Sequence, residues 1–184
     1  MKTKLNKPWA LLFLAAVFFS WARPVWAQET KTVRVTVDKK SREAFLTRRQ
    51  DGGFCLTFYG GACWRSMSFE KDAGPAIDKA AQNYLSQFEK HKLKRNKPSS
   101  LRAYASLPVS LAWGTTMQKL DRQAPSSADI GYAFDNNSPY FSIKVQNAKN
   151  ALEQDTPALQ ESGQALLLFT KSQLQGLLDA IFDR

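Results

Sequence analysis

Two glycine pairs, Gly52-Gly53 and Gly60-Gly61, constrain this chain more than any other feature, because each marks a tight reversal and together they leave room only for short extended segments between them. Phe54 to Tyr59 between the pairs is aromatic and β-branched, and Ala62 to Phe69 resumes the same character after the second pair. The stretch therefore predicts a β-meander. Upstream, Thr32 to Val37 alternates polar residues with Val33, Val35 and Val37, the period of a strand with one buried face. Ser41 to Gln50 is ambiguous: Ser41 could cap a short helix, and Ala44, Phe45 and Leu46 fit a strand equally well.

Helical spacing takes over near Gly74. Ile77, Ala80, Ala81, Tyr84, Leu85 and Phe88 recur on one face, Asp72 is placed to cap, and Pro75 is tolerable in a first turn, so a central helix is expected over about 74–92. Leu101 to Trp113 reads as a strand interrupted by Pro108, hence an edge or a bulge. Residues 121–128, with Pro125-Ser126-Ser127, read as a loop before a hairpin of Ile130–Phe134 and Tyr140–Val145. Asn147 to Gly163 is a polar excursion, and Gln164 to Phe169 a buried strand. Thr170 and Gln173 then form a capping box for a C-terminal helix over about 171–182, with Leu174, Leu177, Leu178 and Ile181 on one face. No repeat or heptad array is present. The expected fold is an α+β domain: an antiparallel sheet of about six strands with both helices packed on it. A strand followed by a capped helix occurs in many folds and identifies no family.

The first 27 residues have a different character. Lys2, Lys4 and Lys7 precede an uncharged run from Trp9 to Ala22, and Val25-Trp26-Ala27 places small residues where a signal peptidase reads, so residues 1–27 are expected to be a signal peptide cleaved before Gln28. The run is too short for the roughly 20 residues a bilayer span needs, and no later segment is apolar enough, so no transmembrane segment is expected after cleavage. Residues 28–184 are expected to form a single exported domain, periplasmic or secreted. That part carries 22 cations and 16 acids. The excess is uneven: residues 28–106 hold 16 cations and 8 acids, the remainder 6 and 8.

An oxidising compartment favours pairing the two cysteines, Cys55 and Cys63. The turn geometry competes with that bond. A tight hairpin centred on Gly60-Gly61 sets Phe58 opposite Cys63 and Cys55 opposite Ser66, whereas a disulfide needs a wider loop near Tyr59 to bring the Cα atoms within about 4.4–6.8 Å. The spacing also lacks the Cys-x-x-Cys pattern of a redox catalyst.

The inventory for chemistry is thin. One histidine, His91, sits among cations and suits neither a zinc site nor a Ser-His-Asp device. Glycine patterns for phosphate binding and the nucleophile elbow are missing. The sequence therefore predicts no catalytic residue, no metal and no cofactor. Lys90, Lys92, Lys94, Arg95 and Lys97 put five cations within eight residues, with Arg102 close behind. Such a run either caps a helix C-terminus or faces an anion. Tyr59, Trp64 and Trp113 are the candidate stacking contacts beside it. The expected function is a non-enzymatic binding or adaptor protein that recognises an anionic envelope component or a protein partner through this basic and aromatic surface; nucleic acid is not expected outside the cytoplasm. The alternatives are a secreted hydrolase working on glycan or peptidoglycan with two carboxylates, and a subunit of a larger envelope assembly.

Overall fold

The computed structural model of the protein describes residues 29–95, 97, 100–150 and 157–184. The expected signal peptide and its cleavage point lie outside the described residues. Eight antiparallel strands follow one another around a closed barrel: β1 (Thr30–Val37), β2 (Lys40–Arg48), β3 (Phe54–Gly60), β4 (Cys63–Phe69), β5 (Arg102–Gly114), β6 (Arg122–Asp135), β7 (Ser138–Val145) and β8 (Ala165–Phe169). Helix α1 (Ala73–Glu89) follows β4, and helix α2 (Lys171–Phe182) follows β8. The expected open sheet of about six strands is thus corrected to a barrel.

Two segments account for the difference. The ambiguous stretch after Ser41 is strand β2, in register with β1 through Val33 opposite Ala44 and with β3 through Leu46 opposite Leu56. Pro125-Ser126-Ser127, expected as a loop, lies inside the long β6 with Pro125 opposite Ser110. There β6 has a neighbour on one side only, since pairing with β7 begins at Ala128, so a missing proline N–H breaks no second ladder. Pro108 is accommodated in the same way, opposite Ser127 and beyond the end of the β4 pairing at Ser110. A register shift between Ala103 and Ala105 bends the start of β5 over β6. This approach is so close that a Cβ at Gly131 would fall 1.9 Å from the Arg102 carbonyl oxygen.

Alternation does the rest. Val33, Val35, Ala44, Leu46, Leu56, Phe58, Met67, Leu111, Ile130, Ile143 and Leu167 all face inward and are buried, filling a bore that eight strands leave just wide enough for side chains. Because β4 and β8 run in the same direction, α1 and α2 start at the same end of the barrel. Both turn their apolar stripes into it. Tyr84 of α1 meets Phe141, which meets Phe169, so helices and barrel share one core. Each helix packs chiefly on strands from the other half of the chain: α1 on β5 and β6, α2 on β1. The closing contact between β1 and β8 is short, Thr36 opposite Leu168 and Val37 opposite Leu167, because the chain leaves β8 after Phe169 to enter α2. Helix α2 then lies along β1 where β8 does not reach, and its end is tied down by Asp183 to Lys31 and Arg48. The Thr170–Gln173 capping box forms, whereas Asp72 at the start of α1 makes no side-chain capping bond.

The opposite end is covered by the excursion after β7. Asn147 and Lys149 both engage Glu161, and Ser162 receives the Ala148 N–H on its hydroxyl. Beneath it lie Arg65 and Trp113, opposite each other on the inner faces of β4 and β5. The Arg65 guanidinium donates to the Ser162 and Gly60 carbonyls. The Trp113 indole donates to the Leu159 carbonyl at 2.8 Å.

The expected disulfide does not form. Gly60 pairs with Cys63 around a turn at Gly61-Ala62, one residue beyond the expected centre, and Cys55 pairs with Ser68. Cys63 therefore points into the barrel, and Cys55 points outward with Sγ 3.2 Å from the Ser68 hydroxyl. Both thiols are free, on opposite faces of the sheet.

Candidate functional site

Helix α1 stops at Glu89, three residues short of the expected end. His91 enters the left-handed region at φ 50°, its N–H reaches the Phe88 carbonyl, and the Lys92 N–H reaches the Gln87 carbonyl at 2.9 Å. This is a Schellman termination, with histidine where glycine is usual. The basic run is therefore a strap beyond the helix, outside any helix or strand, not its last turn. Attraction of cations to a helix C-terminus fades within a turn, so it reaches Lys90 and Lys92 and leaves Lys94, Arg95 and Lys97 unexplained.

The strap is fastened at three places. Leu93 turns inward against the core, the Tyr132 hydroxyl donates to the Lys94 carbonyl at 3.2 Å, and Arg95 donates to the Asn137 side chain in the β6–β7 turn. Lys92, Lys94, Arg95, Lys97 and Arg102 are all exposed. None of them, nor Lys90, forms a salt bridge with an acid among the described residues, and the chain has no acid between Glu89 and Asp121. Lys31, Arg48, Arg49, Lys119, Arg122, Lys149 and Lys171 are by contrast all paired. Arg34, Lys39, Lys40, Arg42, Lys71, Lys79, Lys144 and Arg184 likewise form no salt bridge among the described residues, so what sets the basic run apart is the density of such cations in one short stretch of chain.

The expected aromatic contacts are not brought to this edge. Trp113 is fully buried and hydrogen-bonded inside the barrel, so it cannot stack on a ligand. Tyr59 and Trp64 are half-buried on the outer face of the β3–β4 hairpin, rings 5.6 Å apart, with Phe45 beside Trp64 and the Arg42 guanidinium 5.0 Å from the Tyr59 ring centre. Trp64 pairs with Gly114 at one end of β5, and Arg102 starts the other end of that 13-residue strand. At ~3.3 Å per residue the two lie about 40 Å apart along it. The single basic and aromatic surface is corrected to two separate features.

The aromatic neighbour of the strap is one that sequence reasoning assigned to the core. Phe88 belongs to the apolar stripe of α1, but its position on the last turn leaves it 37 % exposed beside Tyr84. Leu85, one turn earlier, lines an apolar groove with Leu174, between α1 and the start of α2. Lys171 crosses from α2 to Glu89 at its rim. The available sequence signal was that Phe88 immediately precedes the basic run.

Three carboxylates elsewhere are committed to structure. Asp51 is held below the usual carboxylate range by the Gly53 N–H and Arg49, Glu161 by Lys149 and Asn147, and Asp183 by Lys31, so all three stay ionised. Burial pushes the Tyr84 and Tyr104 phenols up to about 12 and raises the Cys63 thiol. A cleft of about 190 Å³ is lined by Asp38, Lys39, Asp135 and Gln164 with Leu166 and Leu168, and the Asp38 carboxylate already accepts the Gly61 N–H at 2.6 Å. No cluster of three His, Cys, Asp or Glu suited to a metal occurs among the described residues. No helix among them is long and apolar enough to cross a membrane.

Comparison with curated proteins and with solved structures returns no match. A protein-family model does match, over residues 12–183, nearly the whole chain, and by that match this barrel protein belongs to the family described as "Uncharacterised Treponema protein".

Proposed function

We propose that this chain is an exported, non-enzymatic binding protein of the cell envelope that recognises an anionic component through Lys90, Lys92, Lys94, Arg95 and Lys97 of the strap and Arg102 at the start of β5. The observation that carries the reading is the set of five strap cations, with Arg102 of β5 following, that have no acid partner among the described residues, the strap being pinned through the Lys94 backbone and through Leu93. A merely solvated face would not require that pinning, and helix capping reaches only its first residues. The export address rests on the character of residues 1–27. Tyr59 and Trp64, remote from the strap, are left out of the contact.

The test uses the chain from Gln28 and immobilised poly-glutamate as a generic polyanion. Neutralising Lys92, Lys94, Arg95 and Lys97 to Gln is expected to weaken retention about tenfold or more and to flatten its salt dependence, since each screened surface charge contributes up to about 1 kcal/mol. Unchanged retention would remove the strap from the account. The cleft holding Asp38 and Asp135 favours the weaker hydrolase reading. That reading requires Asp135→Asn to abolish release of glycan fragments from peptidoglycan.

A further inference from the structure

Resting on that reading, the kind of anion can be narrowed. We infer that the strap edge docks on the surface of an anionic lipid bilayer, with Phe88 entering the headgroup region and the strap lysines spread over the lipid phosphates. Three observations converge on this occupant. First, the cations are exposed side chains that line neither the cleft at Asp38 nor the groove at Leu85, an open array that suits a plane of many charges better than one enclosed ligand. Second, four of the six are lysines, hydrated point charges on flexible stems; recognition of a defined carboxylate or phosphate favours the fixed fork of arginine. Third, one of the two exposed large apolar side chains among the described residues, Phe88, adjoins this array, whereas the other, Met117, sits in the β5–β6 connection at the far end. An apolar wedge beside unpaired cations is the pairing an interfacial surface needs, apolar burial adding to charge attraction.

The experiment measures binding of the chain from Gln28 to vesicles of phosphatidylglycerol mixed with phosphatidylcholine, to pure phosphatidylcholine vesicles, and to poly-glutamate. Binding is expected on the mixed vesicles and not on the neutral ones. Neutralising the four strap residues should lower vesicle partitioning by about a thousandfold at low salt, from roughly fivefold per lost charge at the surface. Phe88→Ser should lower it by about tenfold and leave poly-glutamate binding unchanged. Phe88→Trp guards against misfolding of the serine variant: its fluorescence should shift to the blue on mixed vesicles and stay fixed on poly-glutamate. Strap-dependent binding to poly-glutamate with no vesicle binding would overturn the bilayer inference and leave the anion-binding function standing, pointing to an acidic protein. Absence of binding to both would overturn both. Vesicle binding indifferent to Phe88 would also overturn the inference, because the docking rests on insertion of that ring.

Discussion

Arg65 offers the sharpest structural test of how the barrel is closed away from its helices. Its side chain is 5 % exposed, and its guanidinium bonds only to backbone carbonyls: Nε and Nη2 to Ser162, Nη1 to Gly60. Gly61 and Gly163, both at positive φ, come within 3.2–3.4 Å of the same group when given a Cβ, so the cradle is built around it. Arg65→Met keeps the stem and removes the donors. Two opposing effects follow. Loss of the donors strands carbonyls at about 1–3 kcal/mol each, while relief of a buried charge returns several kcal/mol if that charge was poorly solvated. Three charge-assisted bonds, at about 1.5–3 kcal/mol each, make the first effect the larger. The expected net loss is about 3 kcal/mol. In a domain of this size that lowers Tm by about 6–12 °C. Urea denaturation of the Gln28–Arg184 chain reads the stability, and amide exchange at Ala148 and Ser162, now freed from β4, reads the location. A variant as stable as the parent, or more so, would show that desolvation of the guanidinium outweighs its three bonds.

Further expectations concern separate parts of the molecule. His91→Gly relieves a non-glycine residue at φ 50° in the Schellman position and should raise stability by about 0.5–1 kcal/mol with polyanion binding unchanged; a loss of stability would show that the histidine side chain has contacts of its own. Protein purified without reductant should keep two free thiols by mass, Cys55 alkylating in the native state and Cys63 only on denaturation; a mass two units lower would contradict the opposite facing of the two residues. Asp51, Glu161 and Asp183 are held below their ordinary values of 3.8, 4.5 and 3.8, so their contribution is present above those values and is lost as pH falls through the lower folded ones. Urea midpoints should thus be flat from neutrality to about pH 5 and fall below it, and Asp183→Asn should shrink that fall; a steep change between pH 5 and 7 would point to other groups.

Much of the local structure was legible because it depends on near neighbours. The spacing of Ile77, Ala80, Ala81 and Tyr84 marks α1, and the Thr170–Gln173 box marks α2 to the residue. Closure was not legible, because it depends on residues whose local signals mislead. Pro125 and the serines beside it look like a loop and become strand only because β6 overhangs β7 there. The Gly60-Gly61 pair marks a turn, yet the reversal is centred one residue later, and that single step places the two cysteines on opposite faces. For the candidate site, the cations were visible and their setting was not. Histidine in a left-handed position carries little sequence signal, so the periodicity runs the helix on to about residue 92 and the strap reads as its last turn. Trp113 looked like a possible contact residue because its one hydrogen-bond partner, the Leu159 carbonyl, lies 46 positions away.

The most direct test of the central claim is lysine footprinting: acetylate the Gln28–Arg184 chain with and without phosphatidylglycerol-containing vesicles, and quantify each lysine by mass spectrometry. Protection is expected at Lys90, Lys92, Lys94 and Lys97, with Lys119 and Lys149 at the other end of the barrel reacting as in free protein. Protection centred on Lys119 and Lys149, or spread evenly over every lysine, would show that the strap edge does not face the bilayer.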